Sequence, residues 1–175
     1  MMWHFYFIIQ LYFSTDTHTS TSFIFLSGLK YEFAVSIKES KLLWINGPYP
    51  ASVHDITIFR GGKTDQNQED WDKNSLFFVV PDGVMGIADD GYKGEPKKLV
   101  TSKAEHSREM RSFLARAKNR QESLHSRLKS FNILKNCFRH GRGTTDKMEF
   151  HKECVHAVCV LVQYDMDNGH PLFEV

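Results

Sequence analysis

The sequence predicts a mixed α/β fold, a sheet with helices packed on it, and three patterns carry this prediction. Apolar and polar residues alternate along residues 31–38, which is typical of a half-buried strand. Residues 84–88 are apolar and run into an Asp-Asp-Gly turn, which indicates a short buried strand. Residues 103–133 and 146–167 each place their apolar side chains on one helical stripe. Strands and helices in this order favour a helix-covered sheet.

The first two predicted strands are expected to form a hairpin. A short polar turn separates residues 31–38 from the apolar residues 42–45. The Gly-Pro-Tyr-Pro sequence at 47–50 is not expected to continue the second strand, because proline cannot donate a hydrogen bond to a sheet.

A short helix is expected over residues 53–60. Ser52 and Asp55 have the spacing of a capping box, and a Gly-Gly pair at 61–62 would end the helix. Residues 63–75 are polar and predict a surface segment before the buried strand.

The first 27 residues differ from the rest of the chain. Residues 1–13 are strongly apolar, and residues 14–22 are rich in Ser and Thr. We interpret residues 1–27 as an atypical leader that is not part of the domain, and we place the domain at residues 28–175.

Hydropathy and cysteine content bear on the location of the protein. No apolar run reaches the roughly 18 residues of a membrane-spanning helix, so no membrane interaction is expected. The three cysteines, Cys137, Cys154 and Cys159, are odd in number and contain no close pair. This pattern favours reduced thiols and an intracellular protein.

Basic residues are concentrated in the middle of the chain. Residues 93–143 hold 14 Lys/Arg and 4 Asp/Glu, a net charge of +10, whereas residues 1–92 hold 6 and 11, a net charge of −5. A basic block of this density is expected where a protein contacts phosphate groups, although a solvated helix face has the same composition. DNA phosphate contacts are therefore predicted for four residues of the long helix: Arg116, Arg120, Arg127 and Lys129.

Three acidic residues occupy positions that suit a metal site. Asp89 follows the predicted buried strand, Asp55 lies in the first turn of the short helix, and Glu122 lies on the long helix. Sites in open α/β sheets form beyond the carboxyl ends of strands, and carboxylate oxygens are ligands for hard divalent cations. Each acid also has a structural explanation: a turn for Asp89, a helix cap for Asp55 and a helical side-chain pair for Glu122.

Four segments, in order, carry a resemblance to a known family: GLKYEFAVS, GPYPASVHDITIFR, ADDGYKGEP and NRQESLHSRLKSF. Together they resemble the DDE superfamily endonuclease domain of Harbinger-type transposases over roughly residues 28–175. The resemblance implies an RNase H-like mixed sheet flanked by helices that cuts and joins DNA with Mg²⁺ or Mn²⁺. It also implies that Asp89, Glu122 and Asp55 are catalytic residues and metal ligands. Whether Asp55 or Asp89 is the second acid of the catalytic triad stays open.

One departure from the family concerns its first strand, which carries a Val-Asp-Gly-Thr sequence or a close relative. No such sequence precedes Lys30, and Asp16 lies too close to the predicted hairpin to replace it. We therefore expect an N-terminally truncated domain with an incomplete sheet that lacks its first strand and first catalytic aspartate. Whether the chain is an enzyme stays open, because cleavage and strand transfer are expected to be weakened or lost.

A non-catalytic, domesticated module that binds DNA or a protein is the alternative function. DNA is the expected partner in either case, with a homo-oligomer or a separate DNA-binding protein as further candidates. A DNA substrate implies nuclear localisation, and otherwise an intracellular one.

Overall fold

The computed structural model describes the backbone of residues 5–14, 28–135 and 143–175, and the side chains of the last two ranges except Thr144. Cys137 lies outside the described residues. The strands are β1 Phe5–Ser14, β2 Gly28–Ser36, β3 Leu42–Pro50, β4 Met85–Ile87 and β5 Leu99–Val100. The helices are α1 Asp55–Arg60, α2 Leu76–Val79, α3 Arg108–Ser130, α4 Asn132–Lys135 and α5 Gly143–Asp167, with 3₁₀ turns at Gln68–Asp70 and Asp90–Tyr92. Within these ranges, no helix has the length and apolar character needed to cross a membrane.

The five strands form one mixed sheet in the order β3-β2-β1-β4-β5. Strand β1 is antiparallel to β2 and parallel to β4, β3 is antiparallel to β2, and β5 is parallel to β4. A meander of three antiparallel strands followed by two parallel strands is the RNase H-like arrangement. The prediction of a mixed α/β fold with helices on a sheet is therefore confirmed.

The sheet contains the strand that the sequence analysis expected to be missing. Strand β1 pairs with β2 along residues 6–14 and with β4 along residues 5–7, so it lies in the middle of the sheet. The prediction of a missing first strand is wrong, because this aromatic and β-branched segment suits a strand that is paired on both edges. The boundary expected at residue 28 falls between the first two strands. What β1 lacks is an acid, since its sequence FYFIIQLYFS contains no Asp or Glu.

The two faces of the sheet are covered by different helices. On one face, Tyr31 and Phe33 of β2 are fully buried in a core with residues of α3 and α5 such as Leu124 and Val155. We call this the α3 face. On the other face, which we call the α1 face, Ala34 packs with buried residues of α1, α2 and the Asp90–Tyr92 turn: Phe59, Leu76 and Tyr92. The two faces decide which side chains can meet at the candidate site.

Strand β3 is longer than the strand predicted from the sequence at residues 42–45. It continues through the Gly-Pro-Tyr-Pro sequence to Pro50, with two irregularities in its pairing with β2. Proline is tolerated there because β3 is an edge strand, where a residue without an N–H group leaves no ladder partner unsatisfied. The predicted hairpin is confirmed, but the prediction of its end is wrong.

The helices agree with the predicted stripes and differ at their ends. Helix α3 begins at Arg108 because the Ser107 hydroxyl accepts a hydrogen bond from the Met110 amide at 3.2 Å. The predicted short helix is α1, but its cap is His54, whose side chain makes no capping hydrogen bond. The Asp55 carboxylate pairs with Lys30 instead of capping the helix, so the predicted capping box is wrong.

A buried carboxyl group lies on the α1 face. The Glu32 side chain is fully buried, and its Oε2 accepts a hydrogen bond from the Trp44 indole at 3.1 Å. Among the described residues, Oε1 has no hydrogen-bond partner. Burial raises the pKa of Glu32 from 4.5 to about 8, against the lowering effect of the Trp44 hydrogen bond. The protonated carboxyl group is therefore the form that folding favours.

We expect Glu32→Gln to stabilise the protein at pH 7.5 by on the order of 2–4 kcal/mol. The folded state holds a proton on Glu32 that the unfolded state releases between pH 4.5 and 8, so stability falls as the pH rises through that window. Urea unfolding at pH 5 and pH 8 measures the difference. Glu39→Gln is the control, because that carboxylate is exposed in the same hairpin. Parallel pH profiles for Glu32→Gln and the parent would contradict the assignment.

Candidate active site

Asp89 lies at the carboxyl end of β4 and begins the Asp90–Tyr92 turn. Its side chain is 67% exposed, and its Oδ1 accepts a hydrogen bond from the Lys118 ammonium at 2.7 Å. This hydrogen bond is the main cause that lowers the pKa of Asp89. The carboxylate is thus ionised, accessible and in contact with α3.

Glu122 follows Lys118 by one turn of α3 and therefore lies on the same side of the helix. Its side chain is 71% exposed, and its Oε2 is 3.5 Å from Nδ1 of His125. Burial lowers the pKa of His125, which weakens the pairing because the imidazole favours its neutral form. The contact between Lys118 and Asp89 brings this part of α3 to the end of β4.

Asp55 is attached to the other side of the sheet. Its Oδ1 accepts a hydrogen bond at 2.8 Å from Lys30, whose ammonium also donates to the Val53 carbonyl at 2.7 Å. Lys30 alternates along β2 with the residues of the α3 face, and it is 2% exposed. A buried lysine requires a partner of opposite charge, so Asp55 has a structural role at this position.

Asp55 also contacts the turn that carries Asp89. A methyl group placed on Gly91 would lie 2.3 Å from Oδ2 of Asp55, which is closer than any real contact. Glycine is required at position 91 because Lys30 holds the Asp55 carboxylate in that space. The His-Asp segment and the Asp-Asp-Gly-Tyr segment of the sequence are therefore in direct contact.

Arg60 makes a second contact between the same two segments. Its Nε donates to Glu95 Oε1 at 2.6 Å, and its Nη1 donates to Thr64 at 2.9 Å. The guanidinium lies 5.3 Å from the centre of the Trp71 ring. The first and last residues of α1, Asp55 and Arg60, thus both contact the segment after Asp89 and position its turn.

Strand β1 supplies no acid beside Asp89. The parallel register of β1 and β4 ends with Phe7 opposite Ile87, two residues before Asp89. The strand beside β4 is therefore present, but its sequence contains no acid.

The described residues do not form the three-acid cluster that the resemblance implies. No group of three or more His, Cys, Asp or Glu side chains within them is arranged to hold a metal ion. Asp89 and Glu122 lie toward α3, whereas Asp55 is held by Lys30 on the α1 face. Asp89 and Glu122 supply carboxylate oxygens, the donor type that hard divalent cations take. The Lys118 ammonium lies 2.7 Å from Asp89 Oδ1 and thus occupies the position next to this carboxylate that a cation would take.

The structure corrects one of the predicted DNA contacts. Arg120 is 1% exposed, and its guanidinium donates to the backbone carbonyls of Ser36 at 3.2 Å, Glu39 at 2.8 Å and Phe173. The prediction for Arg120 is wrong, because a buried guanidinium with carbonyl acceptors cannot reach a DNA phosphate. Its function is to hold the C-terminal segment and the β2–β3 turn against α3.

Two other predicted DNA contacts are also attached to the C-terminal segment. Arg116 donates to the Glu174 carbonyl at 3.2 Å. Arg127 donates to the carbonyls of His170 and Pro171. Lys129 is exposed, and it is the one member of the predicted set for which the described residues show no such attachment.

A different basic stripe lies along the other edge of α3. Arg111, Lys118 and Lys129 are 7 and 11 residues apart, which places them within about 20° of one line on the helix. The three arginines that bind the C-terminal segment, Arg116, Arg120 and Arg127, lie on the opposite edge of the buried face of α3. Of this stripe, only Lys129 belongs to the DNA contacts predicted from the sequence, although the spacing of 7 and 11 residues can be read there.

We expect Arg120→Ala to lower the free energy of unfolding by about 3 kcal/mol or more, because it leaves buried carbonyls without donors. Chemical denaturation of the whole chain measures the change. Arg116→Ala is the matched control, since its side chain is exposed on the same edge of the helix; its effect should stay within about 1 kcal/mol. Equal effects of the two substitutions would show that burial of Arg120 is unimportant.

Comparison with known proteins gives one family match, which covers most of the fold described above. A family model described as DDE superfamily endonuclease matches residues 10–163, and the match begins inside β1. No curated protein and no solved structure matches the chain. The family match covers the sheet from residue 10 onward, the turn that carries Asp89 and the helix that carries Glu122. The chain belongs to the DDE superfamily endonuclease family, and its nuclease domain is of the type found in transposases.

Proposed function

We propose that this domain binds one divalent cation, Mg²⁺ or Mn²⁺, weakly through Asp89 and Glu122, and that DNA cleavage and strand transfer are lost or strongly weakened. The observation that carries this proposal is the pairing of β4 with β1. Strand β1, which contains no Asp or Glu, lies next to β4, and Asp89 after β4 contacts α3, the helix that carries Glu122. We also propose that the chain belongs to the Harbinger-type group and functions in the nucleus.

The expected loss of activity follows from charge. Enzymes of this family use divalent cations, and a pair of cations about 3.5–4 Å apart can activate water and stabilise a leaving oxygen. Two carboxylates cannot hold such a pair as three can, so charge in the transition state would be poorly neutralised. In this chain, Asp89 and Glu122 would bind a single cation. Asp55 would position the turn after Asp89 by its contact with Gly91.

Calorimetric titration with Mn²⁺ tests the metal site. We expect weak, saturable binding by the parent and its loss in both Asp89→Asn and Glu122→Gln, because each removes one of two anionic ligands. Asp55→Asn should retain part of the binding, because its carboxylate faces Lys30.

The acid missing from β1 provides the second arm of this test. We propose position 9 for this acid, because continuing the Phe7–Ile87 register by two residues would set residue 9 opposite Asp89. Ile9→Asp should then raise Mn²⁺ affinity and produce measurable cleavage of a DNA duplex. Circular dichroism checks that each variant is folded. Cleavage by the parent that requires Asp89 would contradict the proposed loss of activity, and no binding by any variant would contradict the proposed metal site.

DNA binding without catalysis is the second candidate function, and the stripe of Arg111, Lys118 and Lys129 favours it. Arg111 and Lys129 are exposed and Lys118 is partly exposed. The stripe spans 18 residues, or about 27 Å at 1.5 Å per residue. That length suits contact with several phosphates along one face of a duplex.

We expect the parent to bind duplex DNA with an affinity that falls steeply with salt, by roughly 0.9 log units per log unit of salt for each phosphate contact. The triple variant Arg111→Gln, Lys118→Gln, Lys129→Gln should lose about two to three units of that slope. A control with the same change in charge replaces the exposed lysines Lys41, Lys63 and Lys73. Fluorescence anisotropy over a salt series measures both. Equal losses in the two variants would point to net charge and not to the stripe.

A further inference from the structure

We propose that the Lys118 ammonium is a built-in counter-ion of Asp89, which a divalent cation must displace, so that Lys118 sets the metal affinity of the site. This inference rests on the proposed function, in which Asp89 and Glu122 are the metal ligands. It assigns to Lys118 a role in the site that differs from contact with DNA.

The contact itself is close and accessible. Lys118 Nζ lies 2.7 Å from Asp89 Oδ1, and the two side chains are 35% and 67% exposed. An ion pair with this exposure contributes little to folding, so it can open without unfolding the domain. The ammonium thus competes for a carboxylate oxygen that would otherwise be available to a hard cation.

Among the nearby basic side chains, Lys118 is the one whose ammonium contacts Asp89 Oδ1. Lys93 also lies near Asp89, but its ammonium pairs with Asp90 at 3.2 Å. On α3, Glu122 follows Lys118 by one turn, so a cation held by Asp89 and Glu122 would lie close to the ammonium. Repulsion between the two positive charges would then oppose metal binding.

A matched control separates this local competition from general electrostatics. Lys129 lies on the same edge of α3, 11 residues beyond Lys118, and it is exposed. Lys129→Gln removes the same charge from the same helix without releasing Asp89. If the effect were purely long-range, Lys129→Gln would also raise the metal affinity. If Lys118 competes for the Asp89 oxygen, only Lys118→Gln raises it.

The test is calorimetric titration of the full chain with Mn²⁺ in the parent, Lys118→Gln, Lys129→Gln and the double variant Asp89→Asn with Lys118→Gln. We expect Lys118→Gln to bind at least about tenfold more tightly than Lys129→Gln, because only the former frees the Asp89 oxygen. The double variant should lose this gain. Thermal unfolding verifies that all four proteins are folded.

The outcomes distinguish this inference from the proposed function. If the parent binds Mn²⁺ and Lys118→Gln binds no more tightly than Lys129→Gln, the counter-ion role is overturned and the metal site stands. If the parent does not bind and Lys118→Gln does, the inference is supported and Lys118 blocks the site. If neither binds, both the metal site and the counter-ion role are overturned.

Discussion

The fold depends on the pairing of β1 with two neighbours that have opposite directions. Strand β1 joins the antiparallel hairpin of β2 and β3 to the parallel pair of β4 and β5. Without it, β2 and β4 would each present an unpaired edge, which favours aggregation over a folded domain. The same pairing brings a strand without Asp or Glu next to β4, the strand that leads into Asp89. The strand that completes the sheet is thus also the strand that lacks the expected catalytic acid.

Around the site, each of the three acids faces a basic side chain of the chain itself. Lys30 holds Asp55 under α1, Lys118 contacts Asp89, and His125 lies beside Glu122. The Asp55 pair is buried on its lysine side and is structural, whereas the other two acids are exposed. Lys118 supplies beside Asp89 the positive charge that a cation would otherwise supply, whereas the His125 imidazole favours its neutral form and supplies no such charge to Glu122.

The basic residues of α3 have different surroundings on opposite edges of the helix. Along one edge, Arg116, Arg120 and Arg127 bind backbone carbonyls of the C-terminal segment. Along the other edge, Arg111, Lys118 and Lys129 are at least partly open to solvent. Guanidinium groups suit the first task because their several N–H donors can satisfy more than one carbonyl. The high charge of the block therefore overstates how much of it could contact phosphate.

By itself, the sequence determined the mixed α/β class, the stripe of α3, and the positions of Asp89 after a strand and Glu122 on a helix. These features depend on local periods of two and 3.6 residues, which can be read within a short window. Only the tertiary structure decided that residues 5–14 complete the sheet, that Asp55 lies on the α1 face, and that Arg120 is buried. Each of these rests on partners distant in the chain, such as Arg120 with Ser36, 84 residues away. Local periodicity carries no information about such partners, because the folding of the whole chain brings them together.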